Sequence, residues 1–481
     1  MKIEIPFEGG PIEAELPDGA EILRMAETAP LEEPGEAVRR ALREPIGCRS
    51  LAEVAGSRRA RRAGARACVV VSDKTRPVPY RGPEGLLAPI LDTLIASGYA
   101  PGDVTILVAT GMHSEMGRAE LEKMLGPEPF ARGFPVACHD CRDLASLANA
   151  GTTARGTEAL VDRRYVEADL KILTGLVESH FMAGASGGRK SICPGLLGEA
   201  GTKVFHGPAL MSHPNTRDLL LEGNPVHEES LAVARLAGAD FIANVTVDAA
   251  FRMTGVFCGD LEAAHAAAVA HLRAHVGIPV EKPYDLVVTH GGFVAQNHYQ
   301  AAKAGVAALG ALPQAGGGLI LVADNRDAEP IGSDGYRIAI ALLKALGPEA
   351  LDRLLASPDW RFMVDQWEAQ MWGKVLKRVK AEDFVYFAPQ LGPGDRRILP
   401  GVDGRGLLGE AGGPHGRSGA SALPPDSPAY REAAGREVAE VVRRSVARFL
   451  AGRGLSESDV ASGKARVAWL ADGPYGIPLA R

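Results

Sequence analysis

From residue 67 onward the chain alternates short, unbroken apolar runs with helical stretches of ten to fifteen residues, and this alternation limits the fold more than any other feature. Runs at 67–71, 104–109, 168–173, 241–247, 286–289, 318–322, 384–387 and 467–470 read as strands; 85–97, 118–125, 261–275 and 430–450 read as helices. A strand that is apolar on both faces is one that crossover helices cover on both sides, which is the pattern of a parallel sheet. The predicted class is therefore α/β. A chain of 481 residues exceeds one ordinary core, and the Gly- and Pro-rich break after residue 275 places a boundary at 277/278. Two α/β domains with largely parallel sheets, 1–277 and 278–481, are expected, with a cofactor and substrate cleft between them. Residues 2–7 and 12–16 alternate around Glu-Gly-Gly-Pro and predict a hairpin at a sheet edge. Residues 390–428, rich in Gly, Pro and Ser, predict a long surface loop or mobile insertion.

In open α/β sheets ligands collect beyond the carboxyl ends of the strands. Polar clusters stand at four of those ends here. Ser72-Asp73-Lys74-Thr75-Arg76 follows the first run, Thr110-Gly111-Met112-His113 the second, and Thr174-Gly175 then Glu178-Ser179-His180 the third. The fourth begins His290-Gly291-Gly292 and continues through Gln296, Tyr299, Gln300 and Lys303.

Composition narrows the classes. Apolar residues make up 46% and charged residues 23%, a globular balance. A net charge of −6 and a pI near 6.1 give no sign of a nucleic-acid partner. No run approaches the roughly 20 apolar residues that span a bilayer, so no membrane partner and a cytoplasmic location are expected. Six cysteines over this length do not form a disulfide framework. Cys138 and Cys141 lack the further ligands that a tetrahedral zinc needs, so a strand end running into a loop is the preferred reading. Five arginines within residues 57–66 are read as a solvated helix face rather than an anion site.

The densest polar segment, 176–206, combines His180, a glycine-rich turn at Gly184, Gly187 and Gly188, the pair Arg189 and Lys190, and His206. Arg189 separates glycine from lysine, so the phosphate-loop pattern fails, and no G-x-G-x-x-G follows a strand. A lysine beside another cation can instead serve as an amine nucleophile. His113 and His180 suit general acid and base work, because imidazole titrates near working pH. Ser72, Thr75 and Arg76 offer hydroxyls and a guanidinium to a phosphate, with an ordinary capped helix start as the alternative. Gln300 and Lys303 would share one helix face.

Five motifs in order, Ser-Asp-Lys-Thr-Arg-Pro-Val-Pro at 72–79, Leu-Val-Ala-Thr-Gly-Met-His at 107–113, Glu-Ser-His-Phe-Met-Ala-Gly-Ala-Ser-Gly-Gly-Arg-Lys-Ser at 178–191, Gln-Asn-His-Tyr-Gln-Ala-Ala-Lys at 296–303 and Asp-Gln-Trp at 365–367, resemble the nickel-pincer nucleotide-dependent lactate racemase family. The resemblance spans nearly the whole chain. It implies a racemase or epimerase of 2-hydroxy acids that works by hydride transfer through a 2-keto acid. The implied cofactor is a pyridinium-3-thioamide-5-thiocarboxylic acid mononucleotide holding Ni(II). Lys190 would tether it, His206 would complete the square-planar nickel, and Ser72, Asp73, Thr75 and Arg76 would hold its phosphate. Trp367 would pack on the cofactor or in the core. His113 and His180 would be the acid–base pair, with Tyr299, Gln300 and Lys303 binding the substrate. Cofactor-synthesis proteins are the implied loading partners. A non-catalytic cofactor carrier and a phosphate-binding α/β protein are the rival readings. Ser114-Glu115 and 323–327 depart from the family pattern, which leaves the identity of the 2-hydroxy acid open, with larger or more polar acids among the choices.

Overall fold

The computed structural model describes residues 1–409 and 419–480. The chain forms two compact units. The first comprises Glu27–Leu210 and Asn215–His275; the second comprises Met1–Ala26, Met211–Pro214 and Val276–Arg481. The chain passes from one unit to the other after residue 275, and the first 26 residues belong with the later half of the chain. Among the described residues, no helix is long and apolar enough to cross a membrane.

The first unit is built on a six-stranded sheet in the order Met253–Gly259, Phe241–Val247, Leu170–Leu176, Ala67–Ser72, Val104–Ala109, Val136–Cys138. All neighbours are parallel except the outermost pair, Phe241–Val247 with Met253–Gly259. Val69, Val71, Ile106, Val108 and Ile172 are fully buried, as unbroken apolar strands require. From Ala67–Ser72 the chain builds outward to Val136–Cys138, then returns to place Leu170–Leu176 on the other side. That reversal makes a topological switch point between Ala67–Ser72 and Leu170–Leu176, where such sheets bind ligands. The arginines of residues 57–66 lie on and after the helix Leu51–Arg61, and three pair with carboxylates: Arg58 with Asp240, Arg59 with Asp103 at 3.2 Å and Arg62 with Asp169 at 3.0 Å.

The second unit has its own six-stranded, all-parallel sheet in the order Val402–Asp403, Phe384–Phe387, Gly318–Val322, Leu286–His290, Val467–Leu470, Glu21–Leu23. Here the switch point falls between Leu286–His290 and Val467–Leu470. The amino-terminal hairpin, Lys2–Ile5 with Ile12–Glu15, is not an edge of this sheet; it forms a separate two-stranded sheet. Its inward residues Ile3, Ile5, Ile12 and Ala14 share a core with Tyr430, Val438 and Val442 of the helix Pro428–Ala451. The edge belongs to Glu21–Leu23, three residues too few to register as a strand in sequence.

The expected loop at 390–428 is corrected over its described part. It contains the helix Pro393–Ile398, the strand Val402–Asp403 and two short 3-10 turns. Arg405, 2% exposed, forms a bidentate pair with Glu437 at 3.1 and 2.5 Å, so this segment is fastened to the core. Residues 410–418 of that segment lie outside the described residues.

Candidate active site

The first unit's switch point gathers most of the expected residues. Ser179–His180 and Gly184–Ala185 form a short antiparallel pair immediately after Leu170–Leu176. The returning turn is held by Ser186, whose hydroxyl donates to Leu176 O at 2.7 Å, and by Asn244, whose Oδ1 accepts Gly188 N–H at 2.8 Å. Gly187 has φ +75°, and a Cβ there would come within 2.6 Å of Val177 Cγ2 and 2.8 Å of Asn244 Oδ1. Only glycine fits. Arg189, 1% exposed, braces the turn from inside by donating to Ala183 O at 2.7 Å and approaching His265 Nε2 at 2.9 Å. Burial without a carboxylate partner pushes its guanidinium down to about 9.

These constraints deliver Lys190 to His180, with Nζ 3.2 Å from Nε2. His180 Nδ1 accepts the backbone N–H groups of Met182 and Ala183 at 3.2 and 3.3 Å. Its proton therefore sits on Nε2 and points at Lys190, which suits a neutral amine. Burial, then the charges of Arg76 and Arg189, push the Lys190 ammonium down to about 7. The amine form is thus accessible near neutrality.

His113 has the opposite tautomer. Its Nδ1 lies 2.6 Å from Asp73 Oδ2, so Nδ1 donates, and in the neutral ring Nε2 carries the lone pair. Asp73 is 4% exposed. Burial alone would raise its carboxyl, but the hydrogen bond and charge of His113, with two hydrogen bonds from Thr75, hold it below the usual range. His113 itself is largely exposed. Asp73, expected among the phosphate ligands, thus orients His113. It also occupies Thr75, whose hydroxyl and N–H both donate to Asp73 Oδ1, at 2.6 and 3.1 Å. Ser72 N–H donates to the Tyr80 hydroxyl at 2.8 Å. Of that expected cradle, Arg76 keeps its guanidinium at the surface, 3.4 Å from Glu178.

His206 caps the helix Glu199–Phe205. Its Nδ1 donates to Thr202 O at 3.1 Å, which leaves the lone pair on Nε2. Burial first, then the charge of Lys190, push this imidazole down to about 3, so it is neutral at any working pH. The Phe205 ring lies 5.9 Å from Lys190 Nζ and 4.9 Å from the His206 ring. His180, Lys190 and His206 are thereby linked in one unit, and the charge of His113 reaches His206.

Tyr299, Gln300, Lys303 and Trp367 lie in the second unit. Tyr299, Gln300 and Lys303 share the helix His298–Ala308, whose cap Asn297 accepts Gln300 N–H at 2.9 Å. Trp367, 8% exposed, donates Nε1–H to the Tyr299 hydroxyl at 3.2 Å and stacks on Phe362. Burial, then the carboxyls of Glu368 and Asp365, hold the Tyr299 phenol well above its usual value. Gln366 of the same motif accepts from Trp360 Nε1 and Met363 N–H. Asp365 at φ +69° accepts from Ser333 at 2.7 Å. The 365–367 motif is a brace behind Tyr299.

Cys138 and Cys141 are free thiols that burial pushes up, and His139 between them is buried against Asp162 at 3.1 Å and Leu197 O at 3.2 Å. Among the described residues no group of three or more His, Cys, Asp or Glu is placed to hold a metal.

The lactate racemase N-terminal domain family matches residues 7–218 and the lactate racemase C-terminal domain family matches residues 280–386. A lactate racemase from Lactiplantibacillus plantarum is 32% identical over 342 residues, 71% of this chain and 77% of that one. Another, from Thermoanaerobacterium thermosaccharolyticum, is 30% identical over 387 residues, 78% of this chain and 85% of that one. This chain belongs to the lactate racemase family. The structure of the lactate racemase apoprotein from T. thermosaccharolyticum superposes with a TM-score of 0.78, 25% identity and full coverage of both chains. Sequence reasoning about this family member missed Asn244 as the anchor of Gly188, although an asparagine inside an apolar strand is a visible signal. It also missed the link from Asp73 to His113, because residues 40 apart in sequence carry no mark of their contact.

Proposed function

We propose that this chain interconverts the enantiomers of a 2-hydroxy acid, with lactate the first candidate because both relatives are named for it. One observation carries the reading: two imidazoles of the first unit hold opposite tautomers when neutral, His113 with a lone pair on Nε2 and His180 with a proton there. Racemisation at a hydroxyl-bearing carbon needs a base for one hand and an acid for the other.

The residues present fit a lysine-tethered nickel-pincer nucleotide. Lys190 offers an accessible amine for the tether, and His206 offers a neutral Nε2 of the kind that square-planar Ni(II) takes beside soft donors. Thr202 O fixes that tautomer, as outer-shell partners of metal-bound histidines do. When bound, this group supplies a hydride acceptor that can return hydrogen to either face of the substrate carbon. Arg76 is the cation left for its phosphate. His113 Nε2 takes the hydroxyl proton of one enantiomer, and His180 Nε2–H supplies a proton to the oxygen when the other enantiomer forms. Gln300 and Lys303 hold the substrate carboxylate, and Tyr299, braced by Trp367, lines the pocket.

Intact mass after co-expression with the cofactor-synthesis enzymes tests the tether. A covalent adduct on the wild-type chain, absent from Lys190→Ala, is expected; no adduct, or one that survives the substitution, refutes it. Turnover of a panel of chiral 2-hydroxy acids by the loaded protein identifies the substrate. Residues 114–115 and 323–327 are the segments expected to set that choice.

A further inference from the structure

The turn after the strand Val467–Leu470 has no part in the proposed chemistry, yet it is fastened throughout. Gly473 N–H donates to Leu470 O at 3.3 Å, Tyr475 N–H to Asp472 O at 3.1 Å, and Met25 N–H to Asp472 Oδ2 at 2.6 Å. Beyond it, Ile477–Ala480 pairs in parallel with Gly277–Val280. His290 ties this turn to the one following Leu286–His290. Its Nδ1 accepts Gly292 N–H at 3.0 Å and its Nε2 donates to Ala471 O at 2.8 Å. Both turns lie at the second sheet's switch point, the position where such sheets bind ligands.

Gly292 has φ +61°, and a Cβ there would come within 2.9 Å of Tyr475 Cε2 and 3.0 Å of Pro474 Cδ. The glycine lets the tyrosine ring lie directly on the backbone. So placed, the ring centroid is 5.4 Å from Lys303 Nζ. An aromatic face attracts an ammonium at this range. A lysine is a flexible point charge that loses much rotamer freedom when it is fixed, and a contact that orders it beforehand strengthens whatever it then binds.

We propose that Tyr475 is a positioning residue for Lys303, its ring holding the ammonium at the switch point so that the carboxylate of a 2-hydroxy acid meets it already oriented. This rests on the reading of Lys303 as the carboxylate-binding group. The ring face is what acts, so phenylalanine substitutes for tyrosine and leucine does not.

Cofactor-loaded protein with lactate as the probe tests this in Tyr475→Leu, Tyr475→Phe, Lys303→Ala and the Lys303→Ala/Tyr475→Leu pair. Tyr475→Leu should raise KM roughly 2- to 30-fold, the range of a cation–π contact, with kcat within about twofold. Tyr475→Phe should restore KM, and the double variant should be no weaker than Lys303→Ala alone. Calorimetric titration with pyruvate, the planar keto acid two electrons more oxidised than lactate, should show the same order of affinities without turnover. A KM unchanged in Tyr475→Leu while Lys303→Ala raises it overturns the positioning role alone. So does an equal loss in the leucine and phenylalanine variants, an additive loss in the double, or a fall in melting temperature with KM intact. An unchanged KM in Lys303→Ala removes the carboxylate role of Lys303, and the positioning role with it.

Discussion

The two six-stranded sheets share a plan, a parallel core with a switch point inside it, but their strand ends are furnished differently. Beyond the first sheet stand Asp73, His113, His180, Lys190 and His206, with Lys190 pushed to about 7 and His206 to about 3. Beyond the second stand aromatic rings, the Lys303 ammonium and carboxylates that accept from backbone and amide N–H groups. His298 donates to or accepts from the Tyr336 hydroxyl at 2.7 Å, stacks on Trp372 at 4.7 Å, and is kept neutral by burial. One sheet end crowds groups whose protons can move, and the other fixes a shape. The same topology thus supports two tasks, and the difference lies in the side chains that the loops present.

The comparison breaks most visibly at the histidines of the first end. His113→Ala and His180→Ala should each lower turnover roughly 10²- to 10⁴-fold while the nickel-dependent visible absorption of the loaded protein persists. Wild-type turnover in either would remove the acid–base role. Asp73→Asn should lower kcat by roughly 10- to 100-fold, since a hydrogen bond to a charged group contributes about 1.5–3 kcal/mol; steady-state kinetics checks this.

At the second end the expected losses are of stability. Trp372 is fully buried against His298, Tyr386 and Phe384, and Trp372→Ala should destabilise the unit by about 3–5 kcal/mol. Denaturant unfolding reads it, and the Lys190 adduct should form as in the wild type. An equal loss of adduct would blur the division between the two ends.

Much of the first end was legible because its signals are local. The strands Val104–Ala109, Phe241–Val247, Gly318–Val322, Phe384–Phe387 and Val467–Leu470 coincide with their apolar runs, since strands buried in a mostly parallel sheet carry few polar residues to blur their limits. Elements that owe their place to distant partners were not legible. Glu21–Leu23 is a strand only because Ala468, Trp469 and Leu470 pair with it. The described part of 390–428 is ordered by Glu437, which lies beyond that segment. The site divides in the same way. His180, Lys190 and His206 fall within one dense segment, whereas Asp73's grip on His113 and Tyr475's place beside Lys303 arise from folding alone.

A smaller effect is expected at the cap of the helix His298–Ala308, which is proposed to bind substrate. Asn297 Oδ1 accepts Gln300 N–H, and its Nδ2 donates to Asp327 Oδ2 at 3.0 Å. Asn297→Ala should cost about 1 kcal/mol, read by thermal unfolding. Because Gln300 and Lys303 ride on that helix, KM should rise more than kcat falls.

Asp324 gives the smallest effect and the one whose sign is most informative. It follows Gly318–Val322 in the segment that departs from the family pattern, where it accepts from Gln390 Nε2 and from Glu8 N–H at 2.9 Å, with Arg326 Nε 3.9 Å away and Tyr430 nearby. Burial pushes its carboxyl up to about 6, against the opposing pull of Gln390. A carboxyl raised in the folded state is held protonated more tightly there than in the unfolded chain, whose ordinary value is about 3.9. Its contribution is therefore fully present below about pH 4, declines as pH rises, and is lost once pH passes about 6. Asp324→Asn should flatten thermal stability across that window and leave the protein at least as stable as wild type at pH 7. The gain should stay under about 1 kcal/mol, because the carboxyl is partly open to solvent. Loss of stability at pH 7 would mean that Arg326 holds an ionised Asp324. The second strand end would then rest on charge as the first does, and the contrast between them would narrow.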